Sequence, residues 1–185
     1  MLHICCAPDE AFVIQLLIEQ FNLHCFFCNP NITPLYEYQK RLDEAARLAA
    51  HYAIPFEAAP YAPQDWYQAI QGLEDSAEGA GRCHACFMLR LRTTAQFCKK
   101  TGYDQFTTVM SVSPHKRISM LNECGLAAAT ESGIRYVPFD FKKNDGFKKS
   151  IQLSKDLNIY RQDYCGCILS LHERDLRKRN NHATD

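Results

Sequence analysis

The chain has 185 residues, 46% hydrophobic and 23% charged, which suits one domain (1–185) with a sizeable core and excludes a disordered chain. Its 21 Lys and Arg balance 21 Asp and Glu, so no global positive field draws in nucleic acid, and any RNA contact has to use local basic patches. The opening MLHICCAPDEAFVIQLLIEQ has no basic n-region and no small-residue cleavage site, and no apolar run is long enough to span a bilayer; the expectation is a cytoplasmic protein with no membrane partner.

Taken in chain order, apolar runs alternate with helical patterns. The runs Leu2–Cys6, Leu23–Cys28, Ile54–Tyr61, Phe106–Ser111 and Ile134–Phe139 predict strands. The helices fall at about Glu10–Gln20, Pro34–His51, Cys83–Thr101, Lys116–Ser132, Gly146–Leu157 and Leu169–Arg179, with a polar tail at 180–185 expected to fray. Such alternation predicts an α/β fold with a mostly parallel five-stranded sheet and helices on both faces. Ligands then sit beyond the carboxyl ends of the strands. Cys5–Cys6 end the first run and Cys28 the second, Ser111–Pro114 end the fourth, and the loop Gly72–Arg82 leads into Cys83. These are the places to look for chemistry.

Ten cysteines stand out in a cytosolic setting, where thiols stay reduced and a disulfide framework is not expected. Cys98 and Cys124 lie in helical patterns and read as small buried hydrophobes. The others come in close pairs. Cys5–Cys6 end a strand, where a turn of the backbone can aim both sulfurs at one site; Asp9 follows, either as a helix N-cap or as an oxygen ligand or proton donor. Cys83-x-x-Cys86 opens a helix, where the macrodipole is expected to lower the thiol pKa values. Arg90 and Arg92 on that helix read as a solvated face. Cys165-Gly166-Cys167 puts two sulfurs on one side of a turn. Cys25 and Cys28 point to opposite faces of a strand, so at most one is near the site, and Cys25 reads as structural. Six sulfurs plus Asp9 exceed what one metal or one cubane needs, which suggests a redox site, iron–sulfur in the first instance, with a second metal element beside it.

Together these segments resemble the cobalamin-independent epoxyqueuosine reductase family (QueH). The resemblance is carried by Leu2-His3-Ile4-Cys5-Cys6-Ala7-Pro8-Asp9, Asn29-Pro30-Asn31-Ile32, Glu37-Tyr38, Arg82-Cys83-x-x-Cys86, Asp140-Phe141-Lys142-Lys143 and Tyr160-Arg161-Gln162-x-Tyr164-Cys165-Gly166-Cys167, nearly the whole chain. It implies a Rossmann-like (HUP-type) three-layer fold. It also implies an oxidoreductase that removes the epoxide oxygen of epoxyqueuosine at the tRNA wobble position to give queuosine. The implied partners are a tRNA anticodon stem-loop and an external electron donor. The resemblance further implies a [4Fe-4S] cluster held by Cys5, Cys6, Cys83 and Cys86, and an adjacent mononuclear iron, or zinc as purified, held by Asp9, Cys165 and Cys167. Some relatives carry Cys where this chain has Asp9.

Asp9, Tyr164 and Arg161 are the residues assigned to catalysis, with Tyr136 and His84 as further proton-donor candidates. Lys116–Arg117, Lys142–Lys143, Lys148–Lys149 and Arg161 are phosphate-binding candidates, and Tyr61, Trp66 and Tyr67 base-stacking candidates; ordinary surface charge and core packing are the commoner uses of such residues. Three rivals stand beside this reading. An ATP-dependent tRNA-thiolating enzyme needs a Gly/Ser-rich loop where CCAPDE stands, and is rejected. A thiol–disulfide oxidoreductase using Cys83 and Cys86 leaves the other pairs unexplained. A structural-zinc RNA-binding module predicts a colourless protein that unfolds with chelator.

Overall fold

The apolar runs become strands, but short ones, two to four residues each, limited to the positions that pair with a neighbouring strand. A computed structural model describes residues 1–182. In chain order it contains β1 (Leu2–Ile4), α1 (Ala7–Leu17), β2 (Cys25–Phe27), α2 (Leu35–His51), β3 (Phe56–Ala58), α3 (Pro63–Ala69) and α4 (Gly81–Lys100). Then follow β4 (Gln105–Thr108), a 3₁₀ turn at Val109–Val112, α5 (Ile118–Ser132), β5 (Arg135–Tyr136), α6 (Gly146–Asp156) and α7 (Ile168–His182). The strands pair in the order β3-β2-β1-β4-β5, every pairing parallel. This is the expected Rossmann-like sheet, with its topological switch between β1 and β4.

Two-residue alternation separates the layers. Leu2, Ile4, Cys25 and Phe27 face a core shared with Val13, Ile14 and Ala45 of α1 and α2. Phe26, Cys28 and Phe106 face the opposite core, with Leu91 and Cys98 of α4 and Leu121 and Cys124 of α5. Cys25 and Cys28 therefore sit on opposite faces, and Cys98 and Cys124 are buried packing residues. His3 lies between the strands and fixes the switch point: one ring nitrogen is 2.9 Å from Thr108 Oγ1 of β4, the other 3.1 Å from the Cys28 carbonyl beyond β2.

Several boundaries differ from expectation. α1 starts at Ala7 rather than Glu10, because Pro8 fits the first helical turn, where its missing N–H costs nothing. Cys6, in extended conformation (φ −166°, ψ 150°), is the residue before the helix, so Asp9 is not the N-cap but faces inward from the first turn. The fourth strand ends at Thr108, not Ser111: the Thr108 hydroxyl accepts from Met110 N–H and starts a tight turn instead. α3 is an unexpected helix of seven residues, opened by Pro63. α7 runs past Arg179 through 180–182, part of the tail expected to fray; 183–185 lie outside the described residues.

Candidate metal centre

At the tip of β1 the chain turns directly into α1, which brings three ligating atoms together. One atom each of Cys5, Cys6 and Asp9 lies within 4.8 Å of the other two. The two sulfurs are 3.8 Å apart. Asp9 is only 7% exposed and Cys6 2%. Burial, and then the Cys6 sulfur, push the Asp9 carboxyl well above the usual carboxylate range. The hydrogen bond from Cys5, with burial behind it, raises the Cys6 thiol. Such a group holds its protons unless a cation replaces them. Two thiolates on one tetrahedral ion, at bonds of about 2.3 Å, stand roughly 3.8 Å apart. The observed separation fits that span.

The other four sulfurs come from two segments that the fold brings within electrostatic reach of each other. Cys83 and Cys86 occupy the first turns of α4, and Cys165 and Cys167 come from the loop before α7. Cys86 and Cys167 share one buried cluster. The sulfurs act on each other electrostatically: Cys165 on Cys83, and both Cys165 and Cys167 on Cys86. The helix dipole does not lower the α4 thiols as expected. Burial wins, raising Cys83 and pushing Cys86 up to about 11. Cys165 alone is lowered: burial opposes its ionisation, but the Lys116 ammonium, 2.7 Å from the sulfur, overrides it. Attack on a disulfide requires a thiolate, and the raised pKa values of Cys83 and Cys86 count against the dithiol-couple rival.

Basic side chains frame the sulfurs from inside the fold. Lys116 belongs to this site as the partner of Cys165, and is not a free phosphate binder. Lys142 Nζ is likewise spent, on the Lys116 carbonyl. Arg90, expected on a solvated face, is 2% exposed; it donates to the Cys28 carbonyl and to Asn29 Oδ1. Arg92 does face solvent, where it pairs with Glu131. The Cys165–Cys167 loop is clamped by α2. Arg41 donates 3.0 Å to the Cys165 carbonyl and 3.3 Å to that of Tyr164, and binds Glu37 at 2.7 Å; Tyr160 O–H donates to the same carboxylate. Gly166 has φ +129°, and a side chain there would come within 3.1 Å of Arg41 and Ile32, so the close approach it permits is to α2 and its preceding loop. The i,i+4 pair Glu37–Arg41 was visible in the sequence; its target was not.

A cavity of about 500 Å³ opens over the switch point, lined by Cys5, Cys6, Asp9, Lys116, Arg161 and Cys165, with Arg174, Arg177 and Lys178 of α7 at its side. Tyr164 also lines it, but its hydroxyl donates 2.7 Å to the Thr33 carbonyl and its ring is in cation–π contact with Arg41 and Arg174. Arg161 reaches Ser154 at 3.1 Å and packs over Phe147. Two expected proton donors lie elsewhere: Tyr136 is buried against Phe106 and hydrogen-bonds Asn122, and His84 pairs with Glu123. Of the stacking candidates, Trp66 is core at 1% exposed and Tyr61 holds the Ile32 carbonyl; Tyr67 alone is exposed.

The family model described as "Epoxyqueuosine reductase QueH" matches residues 1–173. An epoxyqueuosine reductase QueH of Thermotoga maritima is 35% identical, over 99% of this chain and 93% of that protein. The one from Streptococcus pyogenes is 33% identical over 91% of this chain and 68% of that protein, and the one from Dehalococcoides mccartyi 34% over 94% and 93%. Among solved structures, the U34-tRNA thiolase NcsA of Methanococcus maripaludis, described with its [4Fe-4S] cluster, superposes with a TM-score of 0.54 over 98% of this chain and 67% of that one. A predicted tRNA methyltransferase subunit of Methanocaldococcus jannaschii also gives 0.54, over 84% and 75%. Both are 14% identical, a likeness of fold.

Proposed function

The chain belongs to the epoxyqueuosine reductase (QueH) family, and from that premise we propose how its residues divide the work of removing the epoxide oxygen from epoxyqueuosine in tRNA. The reaction takes two electrons and two protons, and the oxygen leaves as water. An external donor supplies the electrons. We assign a [4Fe-4S] cluster to Cys83, Cys86, Cys165 and Cys167, and a single iron, or zinc as purified, to Cys5, Cys6 and Asp9. This regroups the ligands implied by resemblance, which joined Cys5 and Cys6 to Cys83 and Cys86. The observation that carries it is the close triad of Cys5, Cys6 and Asp9 at the β1 tip, open to the cavity. When bound, a cluster delivers single electrons and an ion acts as a Lewis acid on an epoxide oxygen.

The chain's own groups supply the rest. Lys116 holds a proton on Nζ against Cys165, at the cavity wall. Burial disfavours that charge, but the Cys165 sulfur keeps the ammonium above its ordinary pKa. Arg161 places a positive charge beside Asp9. Tyr164, its hydroxyl occupied, holds the loop and does not deliver the proton. No helix among the described residues is long and apolar enough to cross a membrane.

The test is anaerobic purification with iron and sulfide analysis, then incubation with epoxyqueuosine-tRNA and a strong reductant. Queuosine should appear. A colourless zinc-only protein would remove the cluster, and cluster-replete protein without turnover would remove the residue roles assigned here. The RNA contact is expected along α7. Replacing Arg177, at the cavity side, by Ala should raise KM for tRNA several-fold with kcat little changed, and flatten the salt dependence of binding by about one unit of slope. An unchanged KM would move the RNA off this helix.

A further inference from the structure

We propose that Trp66 donates its indole N–H to a sulfur of the cluster site at Cys86 and Cys167, and thereby helps to set the potential at which that site is reduced. The inference rests on the cluster assignment above. Trp66 is 1% exposed, carried by the short helix α3. Its Nε1 is buried with no hydrogen-bond partner. It packs in one buried hydrophobic group with Ile70, Cys86 and Cys167, against Ala85, Leu89, Ile168 and Leu169.

A buried indole N–H ordinarily finds an acceptor, because an unmet donor carries its full desolvation cost. Of the side chains in this group only the two cysteines carry an acceptor atom, and as free thiols neither is a partner of Nε1. As neutral thiols they are poor acceptors; as thiolates of a cluster, or beside its inorganic sulfides, they are strong ones. Hydrogen bonds to cluster sulfurs are among the factors that set reduction potential, and a donated proton favours the more negative, reduced form. A reductase that must accept electrons one at a time gains from a donor fixed where solvent cannot reach.

Trp66 is the single tryptophan of the chain, so labelling and replacement are both unambiguous. In Trp66→Phe with the wild-type iron and sulfide content, the ratio of reduced to oxidised cluster at a fixed potential should fall about tenfold, as for one lost hydrogen bond to a charged group, equivalent to a shift of about 59 mV to more negative potential for one electron. A second measurement needs no variant. Wild-type protein grown with ¹⁵N-indole tryptophan should show a ¹⁵N hyperfine coupling in the pulsed EPR spectrum of the reduced cluster. An unchanged potential in cluster-replete Trp66→Phe, or no ¹⁵N coupling in the wild type, overturns the role of Trp66 while leaving the cluster assignment in place. A protein without iron and sulfide overturns the assignment itself, and the inference with it.

Discussion

Cys6→Ser is expected to remove one metal ion per chain and leave the cluster absorbance in place, whereas Cys83→Ser and Cys165→Ser are expected to bleach it. The two outcomes separate the two ways of dividing the ligands. If Cys5 and Cys6 were cluster ligands with Cys83 and Cys86, Cys6→Ser would bleach the protein as thoroughly as Cys83→Ser does. The geometry favours the first outcome. Cys5 and Cys6 stand 3.8 Å apart, a single-ion span, with the Asp9 carboxylate beside them. A hard carboxylate oxygen suits a Lewis-acidic ion, while a cubane takes four thiolates, and four remain. Turnover should fall in both cases. A bound ion is worth several kcal/mol to a developing oxyanion, so losing it should cost about 10³-fold in kcat even with the cluster intact. Metal analysis of the purified variants, beside their visible spectra and single-turnover rates, reads all three quantities. Cys165→Ser carries a further cost that Cys83→Ser does not, since it leaves the half-buried Lys116 ammonium without its nearest anion.

The site was legible in the sequence to the extent that it depends on where strands end. Strand–helix alternation put Cys5, Cys6 and the segment after the fourth strand at one edge of the sheet, and two-residue periodicity separated Cys25 from Cys28. What was not legible depends on depth. Arg90 and Arg92 are two residues apart on one amphipathic helix, yet one is sealed under the sulfurs and the other pairs with Glu131 in water. Periodicity marks the apolar stripe but not which charge at its edge turns inward. The same ignorance of depth made the helix dipole seem decisive for Cys83 and Cys86, although desolvation outweighs it. The helix that carries Trp66 was missed because seven residues give too few turns for a period to emerge; Pro63 at the helix start and Asp65 in its first turn were the available signals. Asp9 was read as a possible cap because Pro8 breaks a strand and starts a helix equally well.

Arg41→Ala is expected to destabilise the fold by about 3–5 kcal/mol and, separately, to weaken retention of the cluster. The side chains of Arg41 and Glu37 are 2% and 5% exposed and meet at 2.7 Å. Removing one member of such a pair strands the other as a buried charge, which is a large share of a total stability of order 5–15 kcal/mol. Arg41 also does what no neutral residue can do in its place. Its guanidinium spans the carbonyls of Tyr164 and Cys165, and so holds the backbone that aims Cys165 and Cys167. The double replacement Glu37→Met with Arg41→Met separates the two effects. Two apolar side chains of similar volume replace a buried ion pair at little or no cost, so the urea midpoint should return most of the way to wild type. The two carbonyls stay without their donor, and Tyr160 O–H without its acceptor, so iron content should remain low. Full iron content in the double variant would mean that the loop is held by its own turn at Gly166 and by the Thr33 N–H bond to the Gly166 carbonyl. A wild-type urea midpoint for Arg41→Ala would mean that the pair is not sealed from water. The expected pattern, with stability regained and metal still lost, identifies α2 as the element that sets the Cys165–Cys167 sulfurs opposite α4.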